Sequence, residues 1–427
     1  MNHYGQIAES AVGFPRDAVV KAVEEMLNGE EKKFRKVLLL PPDFTRFHSN
    51  AGLITEILYE KLSPYCKVDI MPALGTHAPM TTEEIVAMFG QHIPLSCFLV
   101  HDWRNDVVAL GEVPASFVKD VSEGVMDAPI QVEVNRRIMD PEYDQIFSIG
   151  QVVPHEVVGM ANYGKNIFVG CGGHAMINAT HMLGAMYGME RLMGKDHSPV
   201  RKVFDYAQEH FLPPNRIYYI LSVTSARQEH ITMHGLFGGT TRQGFEQAVE
   251  LSKQRNITAL PEPMEKVVVY LDEQEFKSMW LGNKAVYRTR MMVRDGGELI
   301  ILAPGVARFG EDVEIDGLIR RFGYKGREQI LKWMAAEPDL AANQSAAAHM
   351  IHGSSDGRFR ITYCTRHLSG EEVEKVGYAY RPYEEALEHY APKTLTDGLH
   401  TVNGESFYYI SNPALGLWKA PQAPSER

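Results

Sequence analysis

Cysteine is scarce in this chain. Four thiols, Cys66, Cys97, Cys171 and Cys364, are spread over 427 residues without a CxxC pair. That spacing argues against a disulfide scaffold and a zinc ribbon. Dense Lys/Arg clusters and basic residues interleaved with aromatics are also missing, and the formal net charge is −11. Nucleic acid and anionic membranes are therefore poor partners. No apolar run approaches the ~18 residues of a membrane span, and the opening "MNHYGQIAES" lacks the apolar core of a secretory signal. Internal repeats and low-complexity tracts are absent as well. A reduced, cytoplasmic globular protein is expected.

What is present fits that expectation. Hydrophobic residues make up 44% of the chain and charged ones 23%, enough apolar material for sizeable cores. A chain of this length suggests two or three domains. "KVLLLPPD" (Lys36–Asp43), "KVDIMPALG", "CFLVHDW", "QIFSIGQV" and "NRIYYILSVTS" read as buried strands. Helical patterns such as "NAGLITEILYEKLSPY" and "TTEEIVAMFGQHI" alternate with them, and Thr81 and Glu84 stand at capping-box spacing. This alternation predicts two α/β domains with mostly parallel sheets and an active-site cleft between them. The prolines of "QRNITALPEPMEK" (Gln254–Lys266) suggest the boundary. The first domain is expected over 1–262 and the second over 263–404. The aromatic-rich segment 405–427 is expected to pack back on the first domain.

In open α/β sheets, ligands collect at the carboxyl ends of strands. Three polar motifs fall there: "PPDFTRFHS", "GTHAP" and "PHEVVGMANYGK". Arg46 could grip a carboxylate or phosphate with paired hydrogen bonds, or pair with Asp43 to tie down the turn. His77 stands between a glycine turn and a helix start, where a neutral imidazole could act as a base. His155, Lys165 and His181 share the glycine-rich and outwardly pliable stretch from Pro154 to His181. Their spacing matches no standard zinc pattern, and "HE" at His155–Glu156 is not continued into HExxH. A partly desolvated Lys165 could bond to a carbonyl carbon, although a solvated loop lysine is the simpler reading. "GCGGHA" and "GLFGGTTRQG" match neither a dinucleotide fingerprint nor a Walker loop. From the residues alone, the chain reads as an α/β enzyme performing acid–base chemistry on an anionic small molecule.

The combination of "DFTR", "GTHAP", "PHEVVGMANYGK" and "NATH" resembles the nickel-pincer-nucleotide-dependent lactate racemase family, in the same order and spacing, over nearly the whole chain. The resemblance implies a cofactor, the nickel-containing pyridinium-3,5-bisthiocarboxylic acid mononucleotide, covalently bound to Lys165. It makes His181 the nickel ligand and Asp43 a further cofactor contact. It makes His77 and His155 the catalytic acid–base pair on opposite substrate faces, and Arg46 the anchor for an anionic group. "WLGNKAVYRTRM" resembles the family's substrate segment, so Lys284, Trp280 and Leu281 are expected to meet the substrate.

The implied reaction inverts C2 of a 2-hydroxy acid by moving its hydride to the cofactor and back. The chain departs from the pattern in four places. "MANYGK" is poorer in Ser and Gly than the usual run before the lysine, and a proline common soon after that lysine is missing. Leu281 stands where lactate racemases tend to carry glutamine, and Trp280 replaces a tyrosine-like position. These last two changes resemble the branch that acts on sugar acids, the pair D-mannonate and D-gluconate. Racemisation of lactate or another short 2-hydroxy acid, and binding of the pincer nucleotide without catalysis, remain as alternatives. Transient contact with cofactor-biosynthesis proteins is implied. Cys171 and His174 have no assigned role.

Overall fold

The computed structural model describes residues 1–227 and 230–421. The chain divides into two compact units. The first comprises Met1–Leu183 and Leu192–Asn256, and the second Gly184–Arg191 with the residues from Ile257 onward. Among the described residues no helix is long and apolar enough to cross a membrane.

The sheet of the first unit contains β1 (Tyr4–Ile7), β2 (Lys36–Leu40), β3 (Lys67–Ile70), β4 (Gln145–Gln151), β5 (Ile217–Arg227) and β6 (His230–Gly239). Their order is β1-β6-β5-β4-β2-β3. β3, β2, β4 and β5 run parallel, and β6 and β1 join antiparallel. Every residue of β4, and all of β2 after Lys36, is buried, as expected for strands covered on both faces. Alternation along β2 divides the packing. Val37 and Leu39 enter one hydrophobic core, while Leu38 and Leu40 enter the other.

The covering helices include α1 (Ala51–Leu62), α2 (Thr82–Phe89), α3 (His174–Tyr187), α4 (Pro199–Phe211) and α5 (Arg242–Asn256). The capping box forms as expected: Thr81 accepts from the Glu84 backbone N–H, and the Glu84 side chain accepts from the Thr81 N–H. One expected strand is absent. "CFLVHDW" forms a single parallel bridge, Ile70 to Phe98, and then leaves the sheet. Its run is only partly buried, with Val100 54% exposed, so it lacks the two covered faces that hold β2 and β4.

The second unit carries β7 (Met264–Tyr270), β8 (Val293–Ala303), β9 (Arg360–Thr365), β10 (Ala379–Tyr380), β11 (Gly398–Val402) and β12 (Glu405–Ile410), in the order β10-β9-β8-β7-β12-β11. The pairings are parallel except that β11 joins β12 antiparallel. This corrects the expected return of 405–427 to the first domain. β12 lies inside the second sheet between β7 and β11, and Leu417–Lys419 pairs with Ile257–Ala259. The aromatic run is buried because it is an interior strand, with Phe407 to Ile410 all covered; residues 422–427 lie outside the described residues. Gly184–Arg191 also joins the second unit, where Glu190 accepts from Arg290 Nε at 2.5 Å.

The contact of α1 with α2 requires glycine at position 52, because a Cβ there would lie 1.9 Å from the Met88 carbonyl oxygen. Gly52→Ala should therefore destabilise the first unit by about 1–3 kcal/mol, the usual cost of overpacking against backbone. Thermal or urea unfolding of the two proteins would measure it.

Candidate active site

Because β3, β2 and β4 are parallel neighbours, the turns that leave them lie along one edge of the sheet. After β2, Pro41 and Pro42 end the ladder and Asp43 opens a short 3₁₀ turn over Phe44–Ser49. Asp43 is buried, and both its oxygens are engaged: Oδ1 accepts from Thr45 Oγ1 at 2.6 Å, and Oδ2 lies 2.5 Å from His77 Nδ1. Burial alone would raise the Asp43 carboxyl, but His77, the Thr45 hydroxyl and the Arg46 charge outweigh it and hold the group below the usual carboxylate range. Asp43 is thus ionised, and an ionised carboxylate only accepts. His77 must therefore donate from Nδ1, and in the neutral form of the ring this leaves Nε2 with a lone pair.

Two expectations change here. The Asp43 carboxylate hydrogen-bonds His77 and Thr45 rather than the Arg46 guanidinium, and Arg46 closes the turn only by its backbone N–H to the Asp43 carbonyl. His77 does not stand at a helix start, since α2 begins only at Thr82 after its cap at Thr81. It sits in a turn, its N–H bonded to the Leu74 carbonyl, beside Gly75, whose N–H donates to the Gly170 carbonyl at 2.8 Å.

The stretch after β4 is far less pliable than its composition suggests. Pro154–His155 pairs antiparallel with Gly159–Met160. His155 is buried, and its Nδ1 accepts the Val157 N–H at 3.1 Å. In neutral His155 the proton then resides on Nε2, which lies 3.9 Å from Glu156 Oε1. Asn162 and Tyr163 adopt left-handed conformations, and the Asn162 side chain accepts from the Tyr163 N–H. Arg201 on α4, fully buried, donates from Nη2 to the carbonyls of Met160 and Asn162. Beyond Lys165 the chain makes a π-turn over Asn166–Gly170, all of it buried. The Asn166 amide clamps this turn to the sheet edge by donating to Leu40 O and Ser148 Oγ, each at 3.0 Å.

Lys165 is held by this frame and retains only partial solvent access. Burial, and then the charges of Arg46 and Arg201, push its amine down to about 8, against the opposing pull of Glu156 and Asp43. On α3, His181 donates from Nδ1 to the Ile177 carbonyl one turn back, at 2.7 Å. Burial, reinforced by the Lys165 charge, lowers its imidazole to about 4, although the Ile177 carbonyl and Glu156 favour the charged form. His181 is therefore neutral with Nε2 free of a proton, the form in which histidine binds a metal and the usual way its tautomer is fixed.

The two unassigned residues have structural explanations. Cys171 is wholly buried and its thiol is pushed up, which makes it inert. His174 is exposed and stacks on Trp103 with ring centroids 5.6 Å apart. Among the described residues, Asp196, His197 and Glu246 could approach one metal ion. Arg242 already bonds Asp196 and Glu246, however, which satisfies the two carboxylates.

Residues 16–193 match the lactate racemase N-terminal domain. That span contains Asp43, Arg46, His77, His155, Lys165 and His181. Among solved structures, the chain is similar to a crystal structure of a protein from Thermotoga maritima. The two are 22% identical with a TM-score of 0.83, over 97% of this chain and 100% of that one. It is also similar to the lactate racemase apoprotein from Thermoanaerobacterium thermosaccharolyticum, at 18% identity and a TM-score of 0.69, over 95% of this chain and 92% of that one. Both likenesses are of fold. No curated protein matches the sequence.

The remaining expected contacts belong to the second unit. Ser278 caps the short helix Met279–Gly282, and Lys284–Thr289 follows directly. Trp280 and Leu281 are half-buried. Lys284 is buried, its Nζ 5.6 Å from the centroid of the Phe276 ring. Four residues that shape the surroundings were not legible beforehand: Thr45, Glu156, Arg201 and His349. Glu156 was visible only as half of a failed HExxH, and Arg201 and His349 are remote in sequence from what they support.

A buried ammonium at Lys165 costs stability. Its folded value lies below that of a free lysine, so the penalty is present below pH about 8 and is relieved as pH rises toward about 10.5. Lys165→Met should therefore be more stable than the parent at pH 7, on the order of 1–3 kcal/mol, with the difference shrinking above pH 8. Unfolding curves of both proteins at pH 7 and 9.5 would check this. In parallel, amine-reactive labelling of Lys165 should reach half its plateau near pH 8.

Proposed function

We propose that this protein is a racemase or epimerase that inverts C2 of a 2-hydroxy acid, with a sugar acid of the D-mannonate/D-gluconate kind as substrate. The observation that carries this reading is the asymmetric pair of histidines within a lactate racemase-type N-terminal domain. His77 offers a lone pair at Nε2 because Asp43 holds the proton of Nδ1, whereas His155 offers Nε2–H because the Val157 N–H occupies Nδ1. Inversion needs an acceptor for the hydroxyl proton on one face and a donor for the returning oxygen on the other.

The residues fit a nickel-pincer nucleotide. His181 has a neutral ring with a free Nε2, suited to nickel, and Lys165 has an amine neutral enough to form a covalent tether. When bound, that group supplies an acceptor from which the C2 hydride can be returned to either face. In the proposed cycle, His77 Nε2 takes the hydroxyl proton, and Asp43 stabilises the imidazolium that results. On the other face His155 would act as the imidazolium, giving its Nε2 proton to the substrate oxygen and ending neutral, which requires Nδ1 to release the Val157 N–H while it is protonated. For the opposite direction the two rings exchange roles, with His77 starting charged and His155 neutral. Arg46 is the proposed anchor for the carboxylate, and Lys284, Trp280 and Leu281 are the proposed substrate contacts that the second unit supplies. The protein is proposed to receive its cofactor through transient contact with biosynthetic partners.

Incubation of cofactor-loaded protein with a panel of 2-hydroxy acids in deuterated water is the direct test. Interconversion with the original hydrogen kept at C2 is expected; deuterium appearing at C2 would replace hydride return by proton abstraction. Asp43→Asn should fold normally yet lower kcat by roughly 10²–10⁴-fold, because the amide no longer fixes the His77 tautomer or its charge. A kcat unchanged in that variant would remove His77 as the base.

A further inference from the structure

In the second unit, a polar cluster remains that the proposed chemistry does not use. Its centre is His349, buried on the helix Gln344–His352. Both ring nitrogens are engaged by tyrosine hydroxyls: Nδ1 with Tyr287 at 2.7 Å and Nε2 with Tyr324 at 3.0 Å. A neutral imidazole has one donor and one acceptor, and a hydroxyl can serve as either, so both contacts can be satisfied together. The face of the ring lies on Trp280, with centroids 4.0 Å apart and planes 20° from parallel.

We propose that His349 is a positioning residue that fixes the indole of Trp280 and thereby sets how much chain a substrate can carry beyond C2. This rests on the reading that Trp280 faces the substrate. The backbone of Trp280 is already fixed, its N–H donating to the Phe309 carbonyl at 2.8 Å, with the Met279 N–H bonded to Arg308. Rotation of the side chain is the freedom that remains, and a ring stacked on the indole removes it. His349 cannot turn in its place without losing the two tyrosines, which come from separate parts of the chain. Tyr287 lies one turn beyond Lys284 on the same short helix, so one imidazole connects the indole to the helix bearing the lysine. A core that needed only filling would be served by an apolar residue. The pairing of two saturated nitrogens with a stacked face specifies orientation.

The test uses His349→Gln, which gives up the stacked ring, and His349→Phe, which keeps a ring and gives up both hydrogen bonds. Trp280 emission in the protein as purified is isolated by subtracting the spectrum of Trp280→Phe. Turnover of lactate and of D-gluconate by the loaded enzyme is measured alongside. His349→Gln should shift Trp280 emission to longer wavelength. It should also raise KM for gluconate ~10-fold with kcat within about twofold, and leave KM for lactate unchanged. His349→Phe should show a smaller change in both.

An unchanged Trp280 emission in His349→Gln would overturn the proposal, as would an equal rise in KM for both acids. Should that variant fail to fold by circular dichroism, Tyr324→Phe keeps the imidazole and removes one restraint. It should move both readouts in the same direction, and no movement there also overturns the proposal. If the parent turns over neither acid, the assigned reaction is at fault, and the emission shift still decides whether His349 orients Trp280.

Discussion

The candidate site depends first on the parallel pairing of β2 with β3 on one side and β4 on the other. A parallel ladder sends successive strands out of the same edge, so three turns separated by up to about a hundred residues meet there. Asp43 leaves β2, His77 follows β3 and His155 follows β4. The Asn166 amide then fastens the π-turn after Lys165 to Leu40, the last residue of β2, and to Ser148, midway along β4. Register of the sheet and position of the lysine are thus one constraint.

The second constraint is electrostatic. Lys165 stands among Arg46, Arg201, Asp43 and Glu156, a mixed group of charges with little water around it. Neither sign dominates, yet burial lowers the Lys165 amine to about 8 and keeps His181 neutral. The same burial that would ordinarily raise Asp43 is overcome by His77 and Thr45. One environment therefore keeps a carboxylate charged while it lowers the proton affinity of a lysine and a histidine, because hydrogen bonds and neighbouring charges outweigh burial at Asp43 and do not at Lys165 and His181. Holding Lys165 in this environment costs stability locally.

The second unit shows that an orienting device need not be near in sequence to what it orients. Trp280 and His349 are separated by 69 positions, and nothing in the local pattern of "AAAHMIHG" distinguishes a stacking histidine from a buried helical one. Their contact arises from the packing of the helix Gln344–His352 against the turn that starts at Ser278.

Much of the fold was legible in sequence because buried parallel strands and amphipathic helices leave short-range periodic patterns. β2, β4, α1 and α2 are read from local apolar spacing, and the capping box from residues three apart. His77, His155, Lys165 and His181 are proposed site residues from the order of their motifs alone. Tertiary structure decided what local spacing does not encode. It made Asp43 the partner of His77, it made the glycine-rich stretch a buried and clamped turn, and it inserted β12 into the second sheet rather than returning it to the first domain. It also kept "CFLVHDW" out of the first sheet. Each of these depends on a hydrogen-bond or packing partner far along the chain, and a single sequence carries no record of that partner's distance or direction.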